Sequence, residues 1–300
     1  MPIRPLGVSN PMTSIFLERN ALRLVSALAL WIFAALPLDA KDAKMKADAV
    51  VAKHLASIGT PEAVAAARNR AISGTAQVIF RLPQPGLLSG TSTVYSEGRR
   101  ASIGMAFSTA EYSSEQLAYD GNKVTVGQVR PGQRSPLSEF IYHFDVLMKE
   151  GLLGGAMITA WALLDVPGRQ PKLEYTGIKK YEGKQLHELK YRAKKGAGDL
   201  QISLYFEQET FRHLYTQIRL MQPAGMGSTP MESAQKRDTF YTLVESYDDF
   251  QTVDSLSLPH AYKLVQTIEA QNATVLLEYK ITATQILHNQ TFEPKMFTAQ

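Results

Sequence analysis

The side chains best suited to catalysis or metal binding are spread along this 300-residue chain without forming a site. Histidines stand at 54, 143, 187, 213, 260 and 288, so none has the i, i+4 partner that puts two imidazoles on one helix face, and His-Glu-x-x-His does not occur. Cysteine is absent, which removes disulfides, thiolate metal ligands and a catalytic thiol together. "GMGST" (225–229) holds a serine among glycines but lacks the strand and helix that make a nucleophile elbow, and "GLLGG" (151–155) lacks the Lys and Ser/Thr of a phosphate loop. Adjacent acids such as Asp248 and Asp249 point apart along an extended chain and read as a solvated turn rather than an acid/base pair. The expectation is a protein that is not an enzyme, with no catalytic residues, no metal ligands and no cofactor.

What the spacing does supply is apolar surface. Val78 and Phe80, then Ile103, Met105 and Phe107, then Ile202, Leu204 and Phe206 alternate with small or polar residues such as Ser102, Gly104 and Ala106. That period of two puts the large side chains on one face of a sheet. The same residues serve equally to seal a core or to line a cavity for a hydrocarbon ligand, and alternation does not choose between them. The least polar stretch outside the N-terminus is "GLLGGAMITAWALLDVPG" (151–168), uncharged from Gly151 to Leu164. As a helix those residues span about 21 Å, short of the roughly 30 Å of a bilayer's hydrocarbon core. Being apolar on all sides, it reads as an enclosed helix hinged at Gly154-Gly155 that fills or covers a concave face, with Met157, Trp161 and Leu164 pointing inward. Phe140 and Phe144, on the amphipathic helix before it, join the expected lining.

The elements that must position these residues follow from the change of period. Ala47, Val50, Val51, Leu55 and Ile58 recur at helical spacing up to Gly59, read as a left-handed stop. Thr60 and Pro61 then cap and start a second helix expected to run through "EAVAAARN" until Gly74. Short β-rich runs follow: "TAQVIFR" (75–81), "TSTVYS" (91–96), "ASIGMAF" (101–107), "EQLAY" (115–119) and "KVTVGQV" (123–129), with Asp120-Gly121-Asn122 as the clearest hairpin turn. A helix opened by Ser135-Pro136 carries Leu137, Phe140, Ile141, Phe144, Leu147 and Met148 on one face and ends at Gly151. Strands resume after Pro167 and continue to the C-terminus, interrupted by the polar connection Gln222 to Arg237. The fold class expected is α+β: a curled antiparallel half-barrel of 10–12 strands with helices over its concave face.

Composition is ordinary for a globular chain, with 45% hydrophobic and 20% charged residues. The net charge of +4 arises from scattered Lys and Arg, not from the stripe a nucleic-acid binder uses, so nucleic acid is not expected as a partner. At the N-terminus, Arg19 and Arg23 precede the 13-residue apolar run Leu24 to Leu36, and Ala40 offers a small residue for cleavage. Residues 1–40 read as a signal peptide and 41–300 as one exported domain, with an uncleaved N-terminal membrane anchor as the alternative.

Four segments resemble the LolA/LolB-like family of periplasmic lipoprotein carriers and its outer-membrane lipoprotein-sorting relatives. "HLASIGTPEAVAAARNRAISGTAQV" (54–78) is similar to that family's paired helices and first strand. "TSTVYSEGRRASIGMAF" (91–107) resembles its two strands about a basic residue, "LAYDGNKVTV" (117–126) its Asp-Gly hairpin, and "NQTFEPKMF" (289–297) its closing tail. The resemblance implies a periplasmic monomer that shelters lipoprotein or lipid acyl chains, moving them from an inner-membrane donor to an outer-membrane acceptor. It also implies that Arg99 or Arg100 holds the lid. The alternatives are an envelope-stress sensor or protein-binding scaffold of the same fold without lipid transport, and a hydrolase assembled from distant strands.

Overall fold

A computed structural model describes residues 45–225, 229 and 237–299 of the chain. The signal-peptide expectation and most of the Gln222–Arg237 connection lie outside the described residues. Among the described residues, no helix is long and apolar enough to cross a membrane.

Two helices come first, α1 (Ala47–Ile58) and α2 (Pro61–Ala66). They lead into five strands, β1 (Asn69–Leu82), β2 (Gly86–Glu97), β3 (Arg100–Phe107), β4 (Ser114–Tyr119) and β5 (Val124–Val126). Two helices, α3 (Pro136–His143) and α4 (Val146–Lys149), precede an irregular stretch that ends in α5 (Val166–Arg169). Seven more strands complete the chain: β6 (Lys172–Tyr181), β7 (Lys184–Arg192), β8 (Gln201–Glu207), β9 (His213–Gln222), β10 (Thr239–Val253), β11 (Leu256–Ala270) and β12 (Ala273–His288). All twelve belong to one antiparallel sheet in the order β5-β4-β3-β2-β1-β12-β11-β10-β9-β8-β7-β6. The architecture is thus a curled, unclosed half-barrel with helices.

Two meanders are joined where β1 pairs with β12, from Arg70 opposite His288 to Leu82 opposite Leu276. Consequently β5 and β6, the strands flanking the inserted segment, are the two outer edges. The chain must pass from one edge to the other between them, and in a curled sheet that path runs across the concave side. This topological demand places the inserted segment inside.

The sheet's apolar parity faces that segment. Ile72, Val94, Ile103, Leu204, Ile218 and Tyr279 belong to the same buried cluster as Leu147, Leu153, Ile158 and Trp161. A small second cluster joins Leu186, Tyr205 and Leu214 of β7 to β9.

Several local expectations are corrected. The second helix ends at Ala66 rather than near Gly74, because Asn69 to Ile72 are taken by two ladders, pairing with Glu97 to Val94 and, from Arg70, with His288 to Ile286. Tertiary pairing overrides helix propensity there. Gly74 lies within β1 at a register shift, where an added Cβ would stand 2.0 Å from the Thr282 carbonyl oxygen. Gly59 is extended (φ 166°), and what it requires is close approach, with Leu256 Cδ2 2.7 Å from an added Cβ. Asp248 and Asp249 lie in β10, where Asp249 (φ 51°) is skipped in the pairing with β11.

Candidate functional site

The largest correction concerns residues 151–168. They form no continuous helix, but a folded loop with 3₁₀ turns at Gly155–Met157 and Ala162–Asp165 and a last turn in α5. Gly151 (φ 64°), Gly154 (φ 84°) and Gly155 (φ 47°) take left-handed conformations that break the helix three times. Space also demands glycine at two of them. An added Cβ would lie 1.8 Å from the Ala160 carbonyl oxygen at Gly151, and 2.7 Å from Tyr247 Cζ and 2.9 Å from His213 Nδ1 at Gly155.

A buried loop leaves main-chain groups unpaired unless side chains satisfy them. Here the sheet does so. Arg70 Nη1 donates to the carbonyls of Ala156 (2.7 Å) and Met157 (2.8 Å), Glu245 Oε1 accepts from Gly154 N–H (2.8 Å), and Ser96 Oγ accepts from Thr159 N–H (2.9 Å). Arg169 clamps the ends of the loop, donating to the carbonyls of Lys149 (2.7 Å) and Ala160 (2.9 Å). The start of the insertion is fixed similarly: Glu115 on β4 accepts from Ser135 and Ser138 hydroxyls, and Gln266 on β11 donates to the Pro136 carbonyl.

Trp161 is fully buried, stacked on His213 (4.7 Å between centroids, 18° between planes) and donating from Nε1 to His54 Nε2 (3.0 Å). Because His54 Nε2 accepts, Nδ1 carries the proton and donates to the Phe211 carbonyl (3.1 Å). That neutral tautomer agrees with burial, which pushes the His54 pKa down to about 4 and His213 well below the usual range. Burial acts oppositely on Glu245, raising its carboxyl to about 7. Its second oxygen, like Tyr247 Oη and His213 Nδ1, is buried without a hydrogen-bond partner among the described residues.

The helix pair covers the rim differently. α1 packs Val50, Val51, His54 and Ile58 inward, whereas α2 buries no side chain completely and is started by Thr60 Oγ1 accepting from Ala63 N–H (3.2 Å). Between them lies a groove of about 750 Å³ bordered by Leu55, Ala56, Pro61, Val64 and, from the inserted segment, Leu164. A second cavity of about 200 Å³ shares Val64 and Leu164 with it and reaches Arg68, Arg70 and Thr159. A third, of about 570 Å³, is bordered by Phe140, Phe144, Tyr241 and Ile268.

Of the residues expected to line a cavity, Leu164, Phe140 and Phe144 border open space, and Met105 and Ile202 border two further cavities of about 230 and 360 Å³. Val78, Ile103, Met105 and Phe107 are buried, as are Met157, Trp161, Ile202, Leu204 and Phe206, all within the packed cluster that Phe80 flanks. The two arginines part company. Arg99 holds Asp165 of the inserted segment through Nε (3.0 Å) and Nη2 (2.6 Å). Arg100 turns to Glu97 and lies 4.4 Å over the Phe297 ring.

Sequence reading missed Arg70, Ser96, Glu245, His54 and His213. A signal existed for three of them. Arg70 shares the strand parity of Ile72 and Val78, Glu245 that of Leu243 and Tyr247, and His54 stands four residues from both Val50 and Ile58 on one helix face. A polar residue in an apolar phase marks a buried partner.

No protein-family model and no curated protein matches the chain. It is similar to solved structures of a LolA superfamily protein from Nitrosomonas europaea, at 13% identity over 85% of this chain and 98% of that one, with a TM-score of 0.44. A domain described as an outer membrane lipoprotein-sorting protein, from Vibrio parahaemolyticus, matches at 8% identity over 83% and 94%, with a TM-score of 0.43. A DUF1329 family protein from Desulfovibrio piger matches at 9% identity over 84% and 96%, also with a TM-score of 0.43.

Proposed function

We propose that the chain is a non-enzymic carrier of the periplasm, exported by residues 1–40, that shelters a lipid or lipoprotein acyl chain at the rim of its half-barrel. The reading includes a monomeric working state, with an inner-membrane donor and an outer-membrane acceptor. The observation that carries it is the groove of about 750 Å³ between α1 and α2, whose wall is mainly small and apolar side chains. That volume falls in the usual range for small-molecule sites. About ten methylenes withdrawn from water there contribute roughly 8 kcal/mol before the costs of association.

In this reading α2 is the lid, Arg99 is the latch on the inserted segment, and Leu164 lies where the two meet. The deeper apolar residues of the sheet stay packed against that segment and take no part in binding. The test is uptake of a fluorescent acyl probe by delipidated protein, with mass spectrometry of co-purified lipid. Val64→Trp, which fills the groove, is expected to weaken uptake at least tenfold while the melting temperature holds. Absence of uptake by the wild-type chain counts against the carrier.

A second reading, a protein-binding scaffold or envelope-stress sensor without lipid transport, is favoured by the way side chains from three strands hold main-chain groups of the segment 154–159. This is peptide recognition performed on an internal ligand. A synthetic peptide of residues 151–165 that binds and raises hydrogen exchange in the native segment would support it; no binding at millimolar peptide would exclude exchange of this kind.

A further inference from the structure

One charge is left without a counterpart by the packing so far described. Arg70 is 4% exposed, and no carboxylate stands within ion-pair distance of it among the described residues. Its Nε donates to His288 Nε2 (2.9 Å) and its Nη1 to two carbonyls, while Nη2 has no hydrogen bond among the described residues. The one acid of this network, Asp254, is reached only across the His288 ring, through Nδ1 at 2.7 Å. Arg99, by contrast, is neutralised directly by Asp165. A cation withdrawn from water without a partner is costly, and burial pushes Arg70 down to about 9.

Arg70 borders the cavity of about 200 Å³, where it is joined by the exposed Arg68 and by Thr159, whose Oγ1 is buried without a hydrogen-bond partner among the described residues. The remaining wall is apolar, including Ile58 and Leu256. Val64 and Leu164 belong equally to this cavity and to the larger groove between α1 and α2. An apolar trough therefore adjoins a small pocket bearing two guanidinium groups and a free hydroxyl. Its charge is complementary to an anion, and its size suits a compact one.

We infer that this pocket is the head-group site for a single-chain amphiphile ending in a carboxylate, its tail in the groove and its head on Arg70 and Arg68, with Thr159 donating a hydrogen bond. The inference rests on the acyl-binding reading and names the ligand class for it. A charge-assisted contact inside such a pocket is stronger than one in water.

The test is calorimetric titration of the delipidated full chain with dodecanoate, dodecanol, dodecyltrimethylammonium and dodecyl phosphate, each below its aggregation threshold. Dodecanoate is expected to bind at least tenfold more tightly than dodecanol or the cation. The double variant Arg68→Gln, Thr159→Val is expected to lose about that factor for dodecanoate while its affinity for dodecanol and its melting temperature hold. Arg70 is left in place because it also holds the inserted segment. Equal affinity for all four ligands, or an unchanged dodecanoate affinity in the double variant, overturns the head-group site and leaves the acyl groove standing. Tighter binding of dodecyl phosphate overturns the carboxylate assignment, and binding of none overturns the groove as well.

Discussion

Two pieces of chain cover the concave side of this sheet, and they are held by opposite means. Residues 151–163 are almost wholly enclosed, broken by left-handed glycines, and hydrogen-bonded through their own main chain to Arg70, Ser96 and Glu245. The helix pair 47–66 keeps regular structure, is pinned through His54 to Trp161 and Phe211, and leaves α2 with no fully buried side chain beside an apolar groove. The difference separates a plug from a lid. An element whose unpaired main-chain groups are satisfied by buried side chains cannot leave without stranding them, whereas a self-satisfied helix loses only surface contacts when it moves.

The sharpest way to break this contrast is at Gly151. Gly151→Ala places a Cβ against the Ala160 carbonyl in a left-handed conformation, and is expected to cost at least about 3 kcal/mol, seen as a fall in melting temperature of roughly 6–12 °C. A drop under 2 °C would mean that the segment relaxes freely and is no plug.

Glu245→Gln should act in the other direction and depend on pH. Folding raises the Glu245 pKa from the ordinary 4.5 to about 7, so its contribution is complete below the unfolded value and is lost as pH rises through the folded one. His54, lowered to about 4, contributes above pH 6.5 and loses that as pH falls, so its slope opposes that of Glu245 in between. Gln keeps an acceptor for Gly154 and Tyr262 but carries no titrating proton. The variant's stability relative to wild type is expected to rise by roughly 2–4 kcal/mol between pH 4.5 and pH 8, measured by denaturant unfolding at each pH. A constant difference across that range would remove Glu245 from the pH dependence.

Effects around the groove and its neighbours should be smaller. Thr60→Ala removes the cap of α2 and is expected to cost about 1 kcal/mol or less while speeding acyl-probe uptake. Slower uptake would argue that α2 is not the moving part. Asp165→Asn cuts the ion pair with Arg99, which is half exposed, and so should change stability by well under 1 kcal/mol. Its expected signature is a faster exchange of bound probe that wild type reproduces in high salt. Least of all should change at Trp161. In a Trp31→Phe chain, where Trp161 is the sole tryptophan, saturation with an acyl ligand is expected to leave its emission unmoved. A red shift would turn the plug into a lid.

Much of the fold was legible because its signals are local. Alternation in "TAQVIFR" and "ASIGMAF", the Ser135-Pro136 start of α3 and the Asp120-Gly121 turn each depend on a few neighbouring residues, and each is found in place, with Asp120 Oδ1 accepting from Asn122 and Lys123 N–H. The candidate site was legible in part. Leu164, Phe140, Phe144, Met105 and Ile202 border cavities, and Arg99 reaches the inserted segment. The conformation of 151–168 was not legible, since a run apolar on all sides satisfies a buried helix and a buried loop alike, and what separates them are partners 63 to 91 residues distant in the chain.

The sequence by itself determined that there would be a curled antiparallel sheet, two leading helices and an apolar insertion that must be enclosed. Periodicity, turn residues and composition suffice for these because each is a property of short segments. Only the tertiary structure decided that β1 and β12 meet, that β5 and β6 become the outer edges, and that the connection between them crosses the concave side. Those are long-range pairings, chosen by which ladders and buried polar partners can be satisfied together. They turn Arg70 from one more basic residue in a strand into an unpaired charge at the end of an apolar groove.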